Sequence, residues 1–202
     1  MRTIDRVFTD ADRDDIIDGA EYRGCVFDGL SLVDIYLEDT SFRDCSFLGA
    51  DLRDARLNAS EFAGCDLSNA RIAGANLFGA SFDRCKMLGL DFTDSVTLMG
   101  TGFHACKLDF CNLRGLRLAG MDFAGCSLIE ADLSLADLTK TSLVNCNLSN
   151  AGLTEAQFDG TDMRGANLAG LNLRHHNLSG IIITPGQFRH LAEEIGIQVL
   201  DE

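Results

Sequence analysis

Counting along the chain in fives from Tyr22 meets a large apolar residue at every step: Phe27, Leu32, Leu37, Phe42, Phe47, Leu52, Leu57, Phe62, Leu67, Ile72, Leu77, Phe82, Met87 and Phe92. The register then slips by one residue and resumes at Leu98, running through Phe103, Leu108, Leu113, Leu118 and Phe123 as far as Leu178 and Ile183. A chain that is 46% hydrophobic would fill only about half of these positions by composition. The residue two before each centre is usually small, as at Ala20, Cys25, Thr40, Cys45, Ala50 and Ala55, with Leu30, Ile35, Leu90, Leu116 and Met121 as larger exceptions. Polar residues fill the remaining places, and Gly is frequent just after the centre, as at Gly89, Gly100 and Gly170. Neither a helix nor an ordinary strand repeats every five residues. Two inward positions in five suit one short side of a coil.

The cysteines fix the number of sides. Cys25, Cys45, Cys65, Cys85, Cys106, Cys126 and Cys146 all stand at the small position, twenty residues apart except for 21 across the slip. A twenty-residue turn of four sides stacks them in one inner column, and Phe42, Phe62, Phe82, Phe103 and Phe123 in another. The expected fold is therefore an all-β solenoid, a four-sided β-helix of about eight coils and near 40 Å long at about 4.8 Å per coil. Residues 1–19 lose the repeat, carry Asp10, Asp12, Asp14, Asp15 and Asp18, and are expected to start or cap the first coil. The repeat body is assigned to 20–183. Over 184–202, Thr184-Pro185-Gly186-Gln187 has the form of a capping box with Pro at the first helical position. Phe188, Leu191, Ala192 and Ile195 share a helix face, Gly196 stops the helix, and Ile197, Val199 and Leu200 follow. Covering the last coil uses one apolar face. The surplus on Phe188, Leu191, Ile195, Ile197, Val199 and Leu200 predicts a dimer contact at this end.

Charge and candidate chemistry narrow the function. Net charge is −14, which repels nucleic acid and anionic membranes and suits a basic partner. No apolar run is long enough to span a bilayer, and the Asp-rich N-terminus is not a signal or transit sequence, so a cytoplasmic location is expected. The cysteines lack CxxC metal spacing, and in-register parallel side chains are poorly placed for disulfides, so eight buried thiols are expected. His104, His175, His176 and His190 are scattered, with His176 at a small inward position, and no phosphate-binding loop or activated nucleophile is present. These observations predict no enzyme activity, no cofactor and no metal.

The segments Asn69-Ala70-Arg71-Ile72, Ala75-Asn76-Leu77-Phe78-Gly79-Ala80 and Ala131-Asp132-Leu133-Ser134-Leu135-Ala136-Asp137-Leu138 resemble the pentapeptide-repeat family over roughly residues 20–183. That resemblance implies a right-handed quadrilateral β-helix. The tail from Ala192 to Leu200 resembles the ending of the Qnr-type fluoroquinolone-resistance branch, where a capping helix pairs two protomers end to end. Cys85-Lys86-Met87-Leu88-Gly89 resembles a segment of the mycobacterial resistance protein and of immunity proteins from producers of gyrase poisons. The one-residue slip is the sole interruption, as in the loopless mycobacterial type. The branch implies a homodimer that binds DNA gyrase or topoisomerase IV as a surrogate for duplex DNA. Two rods end to end span about 80 Å, over which duplex carries about 47 charges, against −28 for two protomers. The acids are uneven, and the middle of the chain is almost neutral. Asp34, Asp51, Asp54, Asp91, Asp94 and Asp132 flank the centres Leu32, Leu52, Phe92 and Leu133 and form the candidate partner-binding face, interrupted by Arg53 and Arg71. A passive scaffold with another protein partner, or self-immunity against a gyrase toxin, are the alternative readings.

Overall fold

The computed structural model describes residues 1–94, 96–171 and 178–200. The five-residue pattern becomes a parallel β-solenoid. Its regular strands are β1 (Arg2–Ile4), β2 (Glu21–Arg23), β3 (Ser41–Arg43), β4 (Glu61–Ala63), β5 (Ser81–Asp83) and β6 (Gly102–His104), paired in chain order into one sheet. That sheet covers five turns. Beyond it the rungs continue as single parallel bridges, through Asp122↔Ser142 and Ser142↔Asp162 to Asp162↔Ile182. Three further columns of bridges complete four sides. They run through Val26↔Ser46, Ser31↔Asp51 and Tyr36↔Arg56, again twenty residues apart. We call the sides first to fourth, after Tyr22, Phe27, Leu32 and Leu37.

Each side is three residues long because backbone alternation sends two side chains inward and the one between them outward. The outward residue and the centre carry the ladder: Asp51 N–H donates back to Leu30 O at 2.9 Å, and Leu52 N–H donates forward to Arg71 O at 2.8 Å. The next two residues turn the corner. Ala55 N–H closes on Leu52 O at 3.2 Å while Asp54 sits at φ 58°, the left-handed second position that a type II turn demands. Asp and Asn tolerate this geometry, and so does Gly. Gly74 takes the position one rung on (φ 71°), where a Cβ would stand 2.1 Å from Asp54 Oδ1. Gly there serves both the turn and the neighbouring carboxylate.

The core is a single stack. Tyr22, Phe42, Phe62, Phe82, Phe103 and Phe123 lie ring on ring with centroids 4.9–5.4 Å apart, and Phe8, Phe27 and Phe47 form a second stack at 4.6–4.7 Å. The small inward position accepts Cys, Ser or Thr because the polar hydrogen finds a carbonyl in the preceding coil. Cys65 Sγ donates to Phe42 O and Cys85 Sγ to Phe62 O, each at 3.4 Å, while Thr141 Oγ1 reaches Leu118 O at 2.8 Å. All eight cysteines are buried and unbridged. A thiol reagent is therefore expected to count eight thiols after unfolding and almost none before. A lower count in denaturant would mean that some are bridged.

The two ends are closed differently. At the N-terminus, Thr3 pairs with Tyr22 and Val7 with Val26, so two sides of a coil form before the chain leaves the repeat. A 3-10 helix, Asp10–Asp15, then follows, and at its start Asp12 Oδ2 accepts from Thr9 N at 2.8 Å and from Thr9 Oγ1 at 2.6 Å. Arg6 Nη2 holds both Asp12 and Asp15 at 2.6 Å, which offsets repulsion among the clustered acids. At the C-terminus, α1 (Pro185–Glu194) starts at Thr184, whose side chain accepts from Gln187 N. Gln187 also caps the solenoid: its Nε2 donates to Met163 O and Ala166 O at 2.8 and 2.9 Å, and its Oε1 accepts from Gly165 N at 3.1 Å. Gly196 N–H bonds Glu193 O and Ile197 N–H bonds Ala192 O, a Schellman ending with Gly196 at φ 85°. The centre Leu173 and the pair His175 and His176 lie outside the described residues.

The one-residue slip alters the ladder around it. The extra residue falls in the turn after Phe92, and Gly74 N–H now reaches Asp94 O, a separation of 20 where Asp54 to Ala73 is 19. Among the described residues, no bridge joins Arg71 to Asp91 on the third side or Thr97 to Arg117 on the fourth, and β6 has no following rung on the first. The second side stays closed through Lys86↔Lys107 and Lys107↔Ser127. The rod is thus continuous but unlaced on part of its girth.

Candidate functional surfaces

The repeat gives the acidic residues two distinct structural settings. An Asp just before a centre accepts the N–H two residues on, so it fastens its own corner. Asp91 Oδ1 takes Thr93 N at 2.9 Å and Thr93 Oγ1 at 2.6 Å, and Asp132 Oδ1 takes Ser134 N at 2.9 Å. Partial burial pushes both carboxyls up, but the bonds from Thr93 and Ser134 outweigh it and hold them below the usual carboxylate range. An Asp two after a centre sits at the corner itself. Asp34 and Asp54 occupy the left-handed position there, and both are exposed, as is Asp94.

Asp51 behaves unlike the rest of the candidate face. Its residue is 5% exposed. Arg53 Nε and Nη2 bind its two oxygens at 2.8 Å each, and Arg71 Nη2 reaches Oδ2 at 2.5 Å. The Arg53 guanidinium holds its carboxyl below the ordinary value, so Asp51 is ionised but neutralised within the chain. Sequence reasoning placed it on an exposed face, and its geometry makes it the anchor of two arginines. Arg114 stands 3.7 Å from Asp132, which shares that carboxylate too. Between Arg71 and Asp91, where the ladder is open, lies a cleft of about 410 Å³ lined by Arg53, Arg71, Asp91 and Asp94 among others. The third side therefore brings Asp34, Asp51 and Asp54 together above this cleft. Asp91 and Asp94 lie at its lower lip, and Asp132 stands two coils below.

The apolar C-terminal residues also divide. Leu191 is buried against its own solenoid, so it stabilises the cap and is not on offer to a partner. Phe188, Ile197 and Leu200 are exposed by 58%, 53% and 83%, and Ile195 and Val199 are half-buried. Phe188, Ile195 and Ile197 frame an apolar cleft of about 400 Å³ together with Ile181 and Ile183. Among the described residues, no group of His, Cys, Asp or Glu could hold a metal ion. No helix among them is long and apolar enough to cross a membrane.

The pentapeptide repeat region family matches residues 16–92, and the pentapeptide repeats (8 copies) family matches residues 106–145 and 146–184. This chain belongs to the pentapeptide-repeat family. The rod is similar to the structure of full-length QnrB1, a plasmid-mediated fluoroquinolone resistance protein, at 20% identity and a TM-score of 0.80 over 97% of each chain. A trypsin-treated variant of QnrB1 is similar at 21% identity and a TM-score of 0.60, covering 100% of this chain and 99% of that one. HetL, involved in heterocyst differentiation regulation in the cyanobacterium Nostoc sp. strain PCC 7120, is similar at 23% identity and a TM-score of 0.41, over 92% and 88%. A sequence comparison with curated proteins gives no match. At these identities the structural likeness fixes the fold of the pentapeptide-repeat rod, and its function has to be argued from its surfaces.

Proposed function

We propose that this pentapeptide-repeat protein is a non-enzymatic, DNA-mimicking ligand of a type II topoisomerase, DNA gyrase or topoisomerase IV, in the cytoplasm, which protects or modulates that enzyme. The observation that carries the reading is a β-solenoid rod with a core of stacked side chains, a charge of −14 and acids on alternate rungs of the third side, at Asp51, Asp91 and Asp132. Likeness of the whole rod to a fluoroquinolone resistance protein supports it. The contact is assigned to the set Asp34, Asp54, Asp91, Asp94 and Asp132, with Asp51 organising Arg53 and Arg71 behind it.

The test follows from the two settings of Asp. Asn keeps a corner at the left-handed position, and Asn76 and Asn112 already fasten corners as Asp91 does. Changing Asp34, Asp54, Asp91 and Asp94 together to Asn should leave the fold intact and weaken inhibition of gyrase supercoiling at least about tenfold at low salt. The parent's inhibition should fall as salt shortens the Debye length below about 10 Å. Equal inhibition by parent and variant at both low and high salt would remove this side as the mimic. A parent that never engages gyrase would leave a scaffold for another protein partner as the better reading.

We further propose that two copies pair through their C-terminal ends, burying Phe188, Ile195, Ile197, Val199 and Leu200 about a two-fold axis. Sedimentation equilibrium should give twice 21.9 kDa for the full chain. Phe188→Asp with Ile197→Asp should reduce that to one chain with the β-sheet circular dichroism unchanged. A dilute full-length protein that sediments as a monomer rejects the pairing.

A further inference from the structure

Three departures from the repeat meet where the fourth side turns into the first. The first is the open ladder. Among the described residues, Leu98 and Gly100 donate no backbone hydrogen bond to the coil of Arg117 and Ala119, whereas Leu77 and Gly79 donate to Thr97 O and Met99 O at 3.0 Å. The second is size. The small inward position holds Val96, Leu116 and Met121, where neighbouring coils hold Ala75, Ala136 and Thr141, and all three stay only partly buried. The third is polarity. The outward corner just after the centre holds Phe78 and Met99 on consecutive coils, 50% and 71% exposed, where the same column carries Asn58 and Thr139. The unlaced coils part into a cleft of about 390 Å³ lined by Val96, Leu98, Met99, Leu116, Arg117 and Met121, among others.

The one charged residue among those lining this cleft is a cation, Arg117. Net charge is −14, yet no outward residue of the fourth side between Arg56 and Asp137 is acidic. Arg117 stands in the rung beside Asp137, whose carboxyl it helps to lower after the Thr139 bonds, while Arg56 lies two coils above the cleft, over the Tyr36 ring at 4.4 Å. Exposed apolar side chains gathered over an opening beside an arginine match an apolar anchor with a carboxylate next to it. Gly100 and Ala119 are exposed, so backbone groups left over by the open ladder face an extended chain lying along the cleft.

We propose that the cleft between the coils of Leu98 and Leu118 docks an extended acidic segment of a partner protein, which seats one large apolar side chain beside Met99 and sets a carboxylate against Arg117. This site lies where the fourth side turns into the first, apart from the acidic third side, and does not depend on the topoisomerase reading. It makes the register slip a functional feature, because only an offset coil leaves the core reachable from outside.

The probe is a short fluorescein-labelled peptide with one central Phe flanked by Asp and Glu, titrated with the full chain and followed by anisotropy. Saturable binding is expected. Replacing the peptide's Phe by Ser, or its acids by Lys, should weaken binding by about tenfold or more. The variant Phe78→Asn/Met99→Thr restores the residue types of its own column, so it should keep the parent's unfolding midpoint and lose peptide binding by a similar factor. Arg117→Gln should weaken the acidic peptide and should not weaken the Lys peptide. The proposal is overturned if the acidic peptide does not saturate, if Phe78→Asn/Met99→Thr binds it as well as the parent, or if the Lys peptide binds equally. Should the parent self-associate in sedimentation and Phe78→Asn/Met99→Thr abolish that, the occupant is a second copy and the assignment to an acidic partner is wrong.

Discussion

Phe62→Ala is expected to lower the unfolding free energy by about 3–5 kcal/mol, seen as a lower denaturant midpoint. Phe62 is 2% exposed, and its ring lies 4.9 Å from both Phe42 and Phe82. A globular core can partly close over such a deletion. Here the backbone cannot, because Glu61, Phe62 and Ala63 are laced to the coils on both sides through β3 and β5. The cavity should remain open and carry nearly its full cost. Coils touch only their neighbours, so the damage falls at one interface of the stack and severs the rod in its middle. Phe78→Asn makes the contrast, since Phe78 is half exposed and contributes little to the core. A loss below about 1 kcal/mol for Phe62→Ala would mean that the coils slide to fill the space and that the ladder is softer than its bonds suggest.

The sequence made the solenoid legible because one rule governs every coil. Period, inward position and the cysteine and phenylalanine columns follow from spacing alone, since a parallel ladder turns a separation of twenty into vertical contact. The capping box at Thr184 and Gln187 was equally legible, because the bonds that define it are local. What escaped is whatever spacing leaves undetermined. Asp51 and Asp91 hold the same place in the repeat, yet one is buried under two guanidinium groups and the other is exposed. The difference lies in Arg53 and Arg71, one on the next corner and one a full turn away, which pair with Asp51 only once the coils are stacked. Leu191 shares a helix face with Phe188 but turns into the core. The slip itself was visible as one extra residue. Its consequence, an open ladder on three sides, depends on how the strain of that residue is shared between coils, and Val96 and Met99 acquire their meaning only from that.

Stability is expected to fall on the alkaline side through two of the buried thiols, Cys111 and Cys146. Burial pushes Cys111 up to about 12 and Cys146 up to about 11, from an ordinary 9.0. The folded state holds these protons more tightly than the unfolded chain. A folded value raised above the unfolded one gives stability that is complete below about pH 9 and is lost as pH rises through the folded values. For Cys111 the full change corresponds to about 4 kcal/mol, since each pH unit of difference is worth about 1.4 kcal/mol. On the acid side the sign reverses. The Thr9 and Arg6 bonds hold Asp12 at about 2, and Arg53 holds Asp51 below 3.8, so their contribution is present above pH 3.8 and lost as pH falls through the folded values. Urea midpoints measured from about pH 3 to about pH 11 should therefore show a plateau between two limbs. Cys111→Ala separates the causes. It installs the residue that the same column carries at Ala131 and Ala151, and it gives up a bond from the thiol to Met87 O at 2.9 Å. It should cost a little at neutral pH, flatten the alkaline limb and leave the acid limb unchanged. An alkaline limb as steep as the parent's in Cys111→Ala would place the loss elsewhere, in Cys146 or in the phenol of Tyr22, both also raised above their ordinary values.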